Sequence, residues 1–124
     1  MKIYTKTGDQ GTSSLYNGER RMKSDEVFEV LGDLDELESN IGFAIEFSTE
    51  KHSKLVEYLR KCQDILFDVN ASIATPRDQS NQRVLKKTEF SGCFTTQLEN
   101  WIDEFDKDLP KTFSFVIVVC DLLE

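Results

Sequence analysis

Apolar residues recur at helical spacing in three separate segments of this 124-residue chain. They follow one another at intervals of three and four residues, which is the period of one face of an α-helix. The pattern predicts helices over about 25–47, 51–74 and 92–107, the second of which stops before Pro76. Residues 77–91 are polar and basic without a clear period, and we predict a loop there. The chain is therefore expected to be an all-α, up-and-down helical bundle.

The first predicted helix has the steadiest pattern. Ser24 is expected to supply its N-cap and Asp25 an early acidic residue. Its apolar stripe consists of Val27, Val30, Leu31, Leu34, Leu37, Ile41, Ala44 and Ile45. Glu38 interrupts this stripe, and two interpretations remain open for it. Its side chain either reaches past its apolar neighbours to solvent or faces a subunit interface.

Composition excludes several classes of function. A net charge of −8 argues against nucleic acid or an anionic membrane as a partner. The sequence has no secretory signal and no apolar run near the ~18 residues that a membrane span needs. Cys62, Cys93 and Cys120 are widely spaced and odd in number, which is typical of reduced thiols. Because His52 is the only histidine, a histidine-based metal cluster within one chain is excluded, and we assign no metal-ligating residues.

The N-terminal stretch 3–15 combines glycine and hydroxyl side chains in a way that suits an anion. Gly8 and Gly11 allow sharp turns, Lys6 adds a positive charge, and a second basic cluster follows at 20–23. The hydroxyl side chains are those of Thr5, Thr7, Thr12, Ser13 and Ser14. Two interpretations stay open from spacing alone. The stretch either cradles phosphate or makes ordinary turns, and the basic cluster Arg20, Arg21 and Lys23 is either its partner or a solvated patch.

Within the first helix, Gly32, Asp35 and Gly42 lie on one side of the apolar stripe. Each glycine costs roughly 1 kcal/mol relative to alanine in a helix interior. This face either leaves room for a ligand to approach a carboxylate or serves tight helix packing with Asp35 in solvent. The helical pattern alone does not separate these two possibilities.

Several motifs, in the same order along the chain, resemble the PduO-type ATP:cob(I)alamin adenosyltransferases. The resemblance covers roughly residues 2–115. The motifs are Thr5-Lys6-Thr7-Gly8-Asp9-x-Gly11, Ser13-Ser14-Leu15, Gly18-Glu19-Arg20-Arg21-x-Lys23, Gly32-x-x-Asp35-Glu36-Leu37, Ala74-Thr75-Pro76 and Leu98-Glu99-x-Trp101-Ile102-Asp103. The resemblance implies a ferritin-like five-helix bundle, of which about three helices are present here, with an extended N-terminal ATP-binding segment. It also implies a homotrimer with active sites at subunit boundaries.

The resemblance further implies an enzyme that transfers the 5′-deoxyadenosyl group from ATP to cob(I)alamin, giving adenosylcobalamin and triphosphate, with Mg²⁺. The ATP-binding residues that it implies are Thr5, Lys6, Thr7, Gly8, Asp9, Gly11, Ser13, Ser14 and Lys23. Two residues are implied to be catalytic. Asp35 corresponds to an aspartate that pairs with an arginine, and Phe115 to a phenylalanine that crowds the lower face of the corrin.

The sequence departs from the family pattern after Leu109-Pro110. A Pro-Gly-Gly turn and an arginine-rich helix are expected there, but an apolar run, 116–119, follows instead. We therefore expect a C-terminally shortened, incomplete single domain, with a nucleotide-binding segment (1–24), three helices (25–107) and a divergent tail (108–124). The alternatives are an authentic short domain and a catalytically inactive module that binds ATP or joins full-length subunits.

Localisation follows from the resemblance alone. The stretches Gly-Glu-Arg-Arg-x-Lys (18–23) and Gly-Phe-Ala-Ile-Glu (42–46) look closer to animal members of the family, which are mitochondrial. Bacterial members begin almost at the N-terminal motif, as this chain does, and are cytoplasmic. We expect a mitochondrial protein, with the cytoplasm as the alternative.

Overall fold

The computed structural model describes residues 4–48 and 50–111. Its elements, in chain order, are β1 (Thr12–Ser14), β2 (Arg20–Met22), α1 (Glu26–Glu46), a 3₁₀ turn (Glu50–His52), α2 (Ser53–Ile73), α3 (Gln82–Lys87) and α4 (Phe94–Asp106). The three predicted helices correspond to α1, α2 and α4, with ends within two residues of those expected. The chain divides into two compact units at Gly92. The single incomplete domain and its three segments stay a prediction.

The helices α1 and α2 pack side by side in opposite directions. Gly42, late in α1, lies beside Gln63, whereas Leu31, early in α1, shares a cavity with Ala71 of α2. A short connection with one 3₁₀ turn joins them, as is usual for antiparallel helical neighbours. The pair forms most of the wall of the larger of the two cavities described below.

The start of α1 is fixed by Asp25. Its Oδ1 accepts a hydrogen bond from the backbone N–H of Val27 at 3.1 Å, so Asp25 is the N-cap. The expectation that Ser24 caps the helix was wrong by one residue. Glu26 and Glu29 then supply the acidic side chains of the first turn, where they complement the helix dipole.

Three short elements, the two strands of a hairpin and one helix, were missed by the sequence pattern. The strands β1 and β2 form an antiparallel hairpin, but three residues each are too few to show an alternating pattern. The helix α3 has six residues, fewer than two full turns, so the loop predicted over 77–91 was wrong at its centre. Local signals were present in both places. Asn17-Gly18 is a hairpin turn pair, and Asn81 Oδ1 caps α3 at Val84 N, 3.0 Å away.

Part of the apolar stripe on α1 is exposed. Val30, Leu37 and Ala44 are seven residues apart, so they share a face of the helix, and all three are exposed. The described helices include none that is both long and apolar enough to cross a membrane. In the second unit, Trp101 is the buried residue of α4.

Candidate functional site

The stretch before β1 folds into two consecutive tight turns. The backbone N–H of Asp9 donates to the carbonyl of Lys6 at 3.3 Å, and that of Gly11 donates to Gly8 at 3.1 Å. Gly11 has φ +77°, a conformation that glycine adopts without strain. Its carbonyl accepts a bond from Lys23 N at 2.8 Å, which brings the residue after β2 back over the turns. The hairpin therefore brings Lys23 next to the two turns that contain Gly8 and Gly11.

Arg20 connects three positions of this segment. In the hairpin it stands opposite Ser14, and its Nη1 donates to Ser14 Oγ at 3.1 Å. Its Nη2 lies 2.7 Å from the carbonyl oxygen of Thr7, 3.2 Å from that of Thr12 and 2.6 Å from Thr12 Oγ1. One guanidinium thus holds the turn segment against β1. The family motif placed Arg20 near the site, but its role was missed because the contacts span up to 13 residues of sequence.

A cavity of about 350 Å³, here called the hairpin cavity, opens between the turns and the strands. A Cβ built on Gly8 would lie 3.5 Å from Lys23 Nζ and 3.3 Å from the carbonyl oxygen of Thr12. The absence of a side chain at Gly8 therefore lets the ammonium group of Lys23 sit close to the backbone. The residues that line the cavity are Thr7, Gly8, Thr12, Ser13, Ser14, Arg20 and Lys23. Hydroxyl donors and two cations make this lining suitable for an anion.

The structure brings together five of the nine residues expected to bind ATP: Thr7, Gly8, Ser13, Ser14 and Lys23. The other four lie beside the cavity lining. Thr5 Oγ1 is 3.0 Å from Thr7 Oγ1, and Lys6 has its Nζ 5.7 Å from the centroid of the Tyr4 ring. Asp9 and Gly11 belong to the tight turns.

The third member of the basic cluster, Arg21, has a different environment from its neighbours. Its Nε donates to Glu19 Oε1 at 2.6 Å, and its Nη1 lies 3.6 Å from Asp25 Oδ2. The hydrogen bond to Glu19 raises the pKa of the Arg21 guanidinium further above its already high value. Residues alternate in direction along a strand, so Arg21 and Arg20 point to opposite faces of β2. Of the basic cluster, Arg21 therefore forms ion pairs, whereas Arg20 and Lys23 line the hairpin cavity.

The hairpin is attached to the end of α2 next to a second cavity. The backbone N–H of Tyr16 donates to the carbonyl of Ala74 at 2.9 Å, and the preceding Leu15 is buried. The second cavity, here called the helix cavity, has a volume of about 770 Å³. Its lining includes Tyr16, Leu31, Gly32, Asp35, Phe67 and Lys87. Asp35 is therefore not in the hairpin cavity, and Phe115 lies outside the described residues.

The two glycines of α1 have different surroundings. A Cβ on Gly42 would meet Gln63 Nε2 at 3.4 Å, so Gly42 belongs to the contact with α2. At Gly32, no heavy atom of the described residues beyond the local helix lies within 4 Å of that position, and this glycine lines the helix cavity with Asp35. Of the two interpretations left open for this face, helix packing therefore applies at Gly42 and open space at Gly32.

Glu38 does not reach past its neighbours into solvent. Its side chain is half-buried against α2, and its Oε1 accepts a long hydrogen bond from Asn70 Nδ2 at 3.4 Å. Its backbone carbonyl accepts another from Gln63 Nε2 at 3.1 Å. Glu38 therefore joins α1 to α2 through polar contacts within the apolar stripe.

We expect Gly32→Ala to raise the free energy of unfolding by roughly 0.5–1 kcal/mol, because alanine favours the helix and its methyl group would enter open space. Urea denaturation measures the change. Gly42→Ala is the matched control, and it should gain less because its methyl group would press on Gln63. Destabilisation by Gly32→Ala would show that the space beside Gly32 is filled.

Comparisons with known proteins relate nearly the whole chain to one family. The family model for cobalamin adenosyltransferase matches residues 3–121. Corrinoid adenosyltransferase MMAB of Mus musculus is 48% identical over 116 residues, which are 94% of this chain and 49% of the mouse protein. A corrinoid adenosyltransferase of Mycobacterium leprae (strain TN) is 34% identical over 121 residues, covering 94% of this chain and 61% of the bacterial one.

A solved structure gives the same relationship at the level of fold. It is a variant PduO-type ATP:corrinoid adenosyltransferase from Lactobacillus reuteri complexed with cobalamin and ATP. Its TM-score is 0.81 at 27% identity, over 94% of this chain and 61% of that one. This likeness confirms the predicted helical-bundle class. The present chain spans about half the length of the mouse relative.

Proposed function

We propose that this chain, which belongs to the cobalamin adenosyltransferase family, transfers the 5′-deoxyadenosyl group from ATP to cob(I)alamin. The products are adenosylcobalamin and triphosphate. The observation that carries the proposal is the position of Lys23 Nζ over Gly8 in a cavity lined with hydroxyl groups. An ammonium group, hydroxyl donors and close access to the backbone are the features that a polyphosphate requires.

The proposed chemistry needs little activation of the nucleophile. The cobalt(I) centre donates its electron pair to the 5′ carbon of ATP, and the bond from that carbon to the phosphate oxygen breaks with the pair going to triphosphate. Negative charge therefore grows on the leaving group. Lys23, which lines the hairpin cavity, is placed to offset it. The protein would also contribute by holding the two reactants in line.

The helix cavity is the proposed place for the corrinoid side of the reaction. Leu31 and Phe67 provide apolar surface there, and Gly32 leaves the wall open next to Asp35. The hairpin borders this cavity through Tyr16, so the two cavities are neighbours along one segment of chain. Asp35 is proposed as a catalytic residue, and so is Phe115 on the resemblance alone.

Mg²⁺ would come with the nucleotide. Within residues 4–48 and 50–111, the lining of the hairpin cavity contains no carboxylate, and no group of three acidic, histidine or cysteine side chains is placed to hold a metal ion. Magnesium is commonly bound through substrate phosphates and retained water, with few protein ligands. The cavity hydroxyls of Thr7, Ser13 and Ser14 fit that mode of binding.

Two wider assignments belong to the same proposal. We propose a homotrimer, supported by the exposed stripe Val30, Leu37 and Ala44 on α1, which a neighbouring subunit would cover.

We also propose a mitochondrial location. It is supported by the sequence identity to the mouse relative, which is 48%, whereas the identity to the mycobacterial relative is 34%.

A turnover assay on the full chain tests the proposal. Purified protein is mixed with ATP and chemically reduced cobalamin, and loss of the cobalt(I) absorbance is followed against a reaction without protein. We expect adenosylcobalamin to form at a rate that depends on the protein concentration. ATP binding without product would reject transfer and leave an inactive ATP-binding module. Failure to bind ATP at all would reject the function in both forms.

A further inference from the structure

We infer that Arg20 is a positioning residue that holds the anion-binding segment in its binding shape before ATP arrives. The inference rests on the proposed ATP-binding function and assigns a role within that site. Its basis is one side chain with four short polar contacts to three separate positions, Thr7, Thr12 and Ser14.

The contacts connect parts of the chain that would otherwise move independently. Thr7 lies within the first tight turn, whereas Thr12 and Ser14 lie after the turns in β1. Arg20 itself is in β2, and its two terminal nitrogens reach both the first turn and β1 at 2.6–3.2 Å. The guanidinium therefore ties together the two ends of the segment 7–14, and Gly8, which lies beside the Lys23 ammonium, is within that segment.

Arg20 also changes the charge that an incoming phosphate meets. The carbonyl oxygens of Thr7 and Thr12 carry partial negative charge on the edge of the hairpin cavity, and both accept bonds from Arg20 Nη2. Their repulsion of an anion is thereby offset. A planar guanidinium with five donors serves several acceptors at once, whereas the three donors of an ammonium diverge from one point. Lysine at this position would keep the positive charge but would lose the bridge, that is, the simultaneous contacts with Thr7, Thr12 and Ser14.

The two cations of the cavity thus have separate tasks. Lys23 presents a point charge over Gly8, whereas the donors of Arg20 are largely committed to the segment itself. Fixing a binding segment in advance lowers the ordering cost of binding, so loss of the bridge should weaken affinity even when the charge is kept.

The test uses the full chain, Arg20→Lys and Arg20→Ala, with Arg21→Lys as the matched control. Arg21 is the neighbouring residue on the opposite face of β2, paired with Glu19. Calorimetric titration gives the Kd for ATP, and hydrogen exchange without ATP reports the opening of residues 7–14. We expect Arg20→Lys to raise the Kd about tenfold and to speed exchange in that segment, with an unchanged melting temperature. Arg21→Lys should stay within about twofold of the wild-type Kd.

Chemical rescue distinguishes the loss of the Arg20 contacts from a general loss of folding. Millimolar guanidinium should recover part of the ATP affinity of Arg20→Ala and should leave Arg21→Lys unchanged. Wild-type affinity in Arg20→Lys would overturn the inference, and so would weaker binding with unchanged exchange, because Arg20 would then act on ATP directly. A wild-type chain that does not bind ATP would overturn the proposed function and this role with it. If Arg20→Ala fails to fold, the Kd and exchange of Arg20→Lys decide.

Discussion

Replacing Lys23 with alanine is expected to weaken ATP binding more than about tenfold, a loss of roughly 1.4 kcal/mol or more. The ammonium group lies 3.5 Å from the position that a Cβ of Gly8 would occupy, in a cavity lined with hydroxyl groups. Removing it deletes the point charge of the site. Calorimetric titration of the purified variant with ATP measures the change.

Lys61→Ala is the control for Lys23→Ala. Lys61 pairs with Glu57 on α2 and does not line the hairpin cavity, so the same charge is removed elsewhere. Its ATP affinity should match that of the wild type. The difference between the two variants should shrink as salt concentration rises, because screening weakens exposed charge interactions. Equal affinities of Lys23→Ala and wild type would show that Lys23 does not contact the nucleotide.

The second large effect concerns the contact between α1 and α2. We expect Asn70→Asp to lower the free energy of unfolding at pH 7 by about 2 kcal/mol or more. Asn70 Nδ2 donates to Glu38 Oε1 at 3.4 Å in a part-buried position. An aspartate would replace this donor with a second carboxylate facing the first. Urea denaturation of variant and wild type at the same ionic strength measures the loss.

Asn40→Asp makes the same chemical change on the exposed face of α1. Its Nδ2 donates to the carbonyl of Glu36 at 3.0 Å, so a small loss of about 0.5 kcal/mol is expected there. A large gap between Asn70→Asp and Asn40→Asp would therefore measure the repulsion at Glu38. Similar small losses in both variants would show that the contact between Glu38 and Asn70 contributes little to the packing of α1 on α2.

The Asn70 contact also bears on the helix cavity, because Asn70 lines it together with Asp35. Its Oδ1 is buried and has no hydrogen-bond partner among the described residues. An oxygen in that state costs free energy unless a ligand or water donates to it. Asn70 therefore contributes both to the contact between α1 and α2 and to the lining of the helix cavity.

The sequence by itself determined the long helices and the family. Helices α1 and α2 each contain 21 residues, so the three-and-four spacing of apolar positions repeats often enough to be read. The glycine and hydroxyl residues of 5–14, together with Lys23, also stand in one recognisable motif. Such features are local, because each depends on residues that are neighbours along the chain.

Only the tertiary structure decided which residues meet. The contacts of Arg20 with Thr7, of Tyr16 with Ala74 and of Glu38 with Asn70 join residues 13, 58 and 32 positions apart, respectively. No periodicity encodes such distances. The hairpin and α3 were missed for a related reason, since elements of three to six residues are stabilised by their tertiary surroundings and show no pattern of their own. The helices could be predicted from the sequence because the hydrophobic periodicity is repeated along each of them. Each contact of the candidate site, in contrast, is made once, between chain segments that only folding brings together.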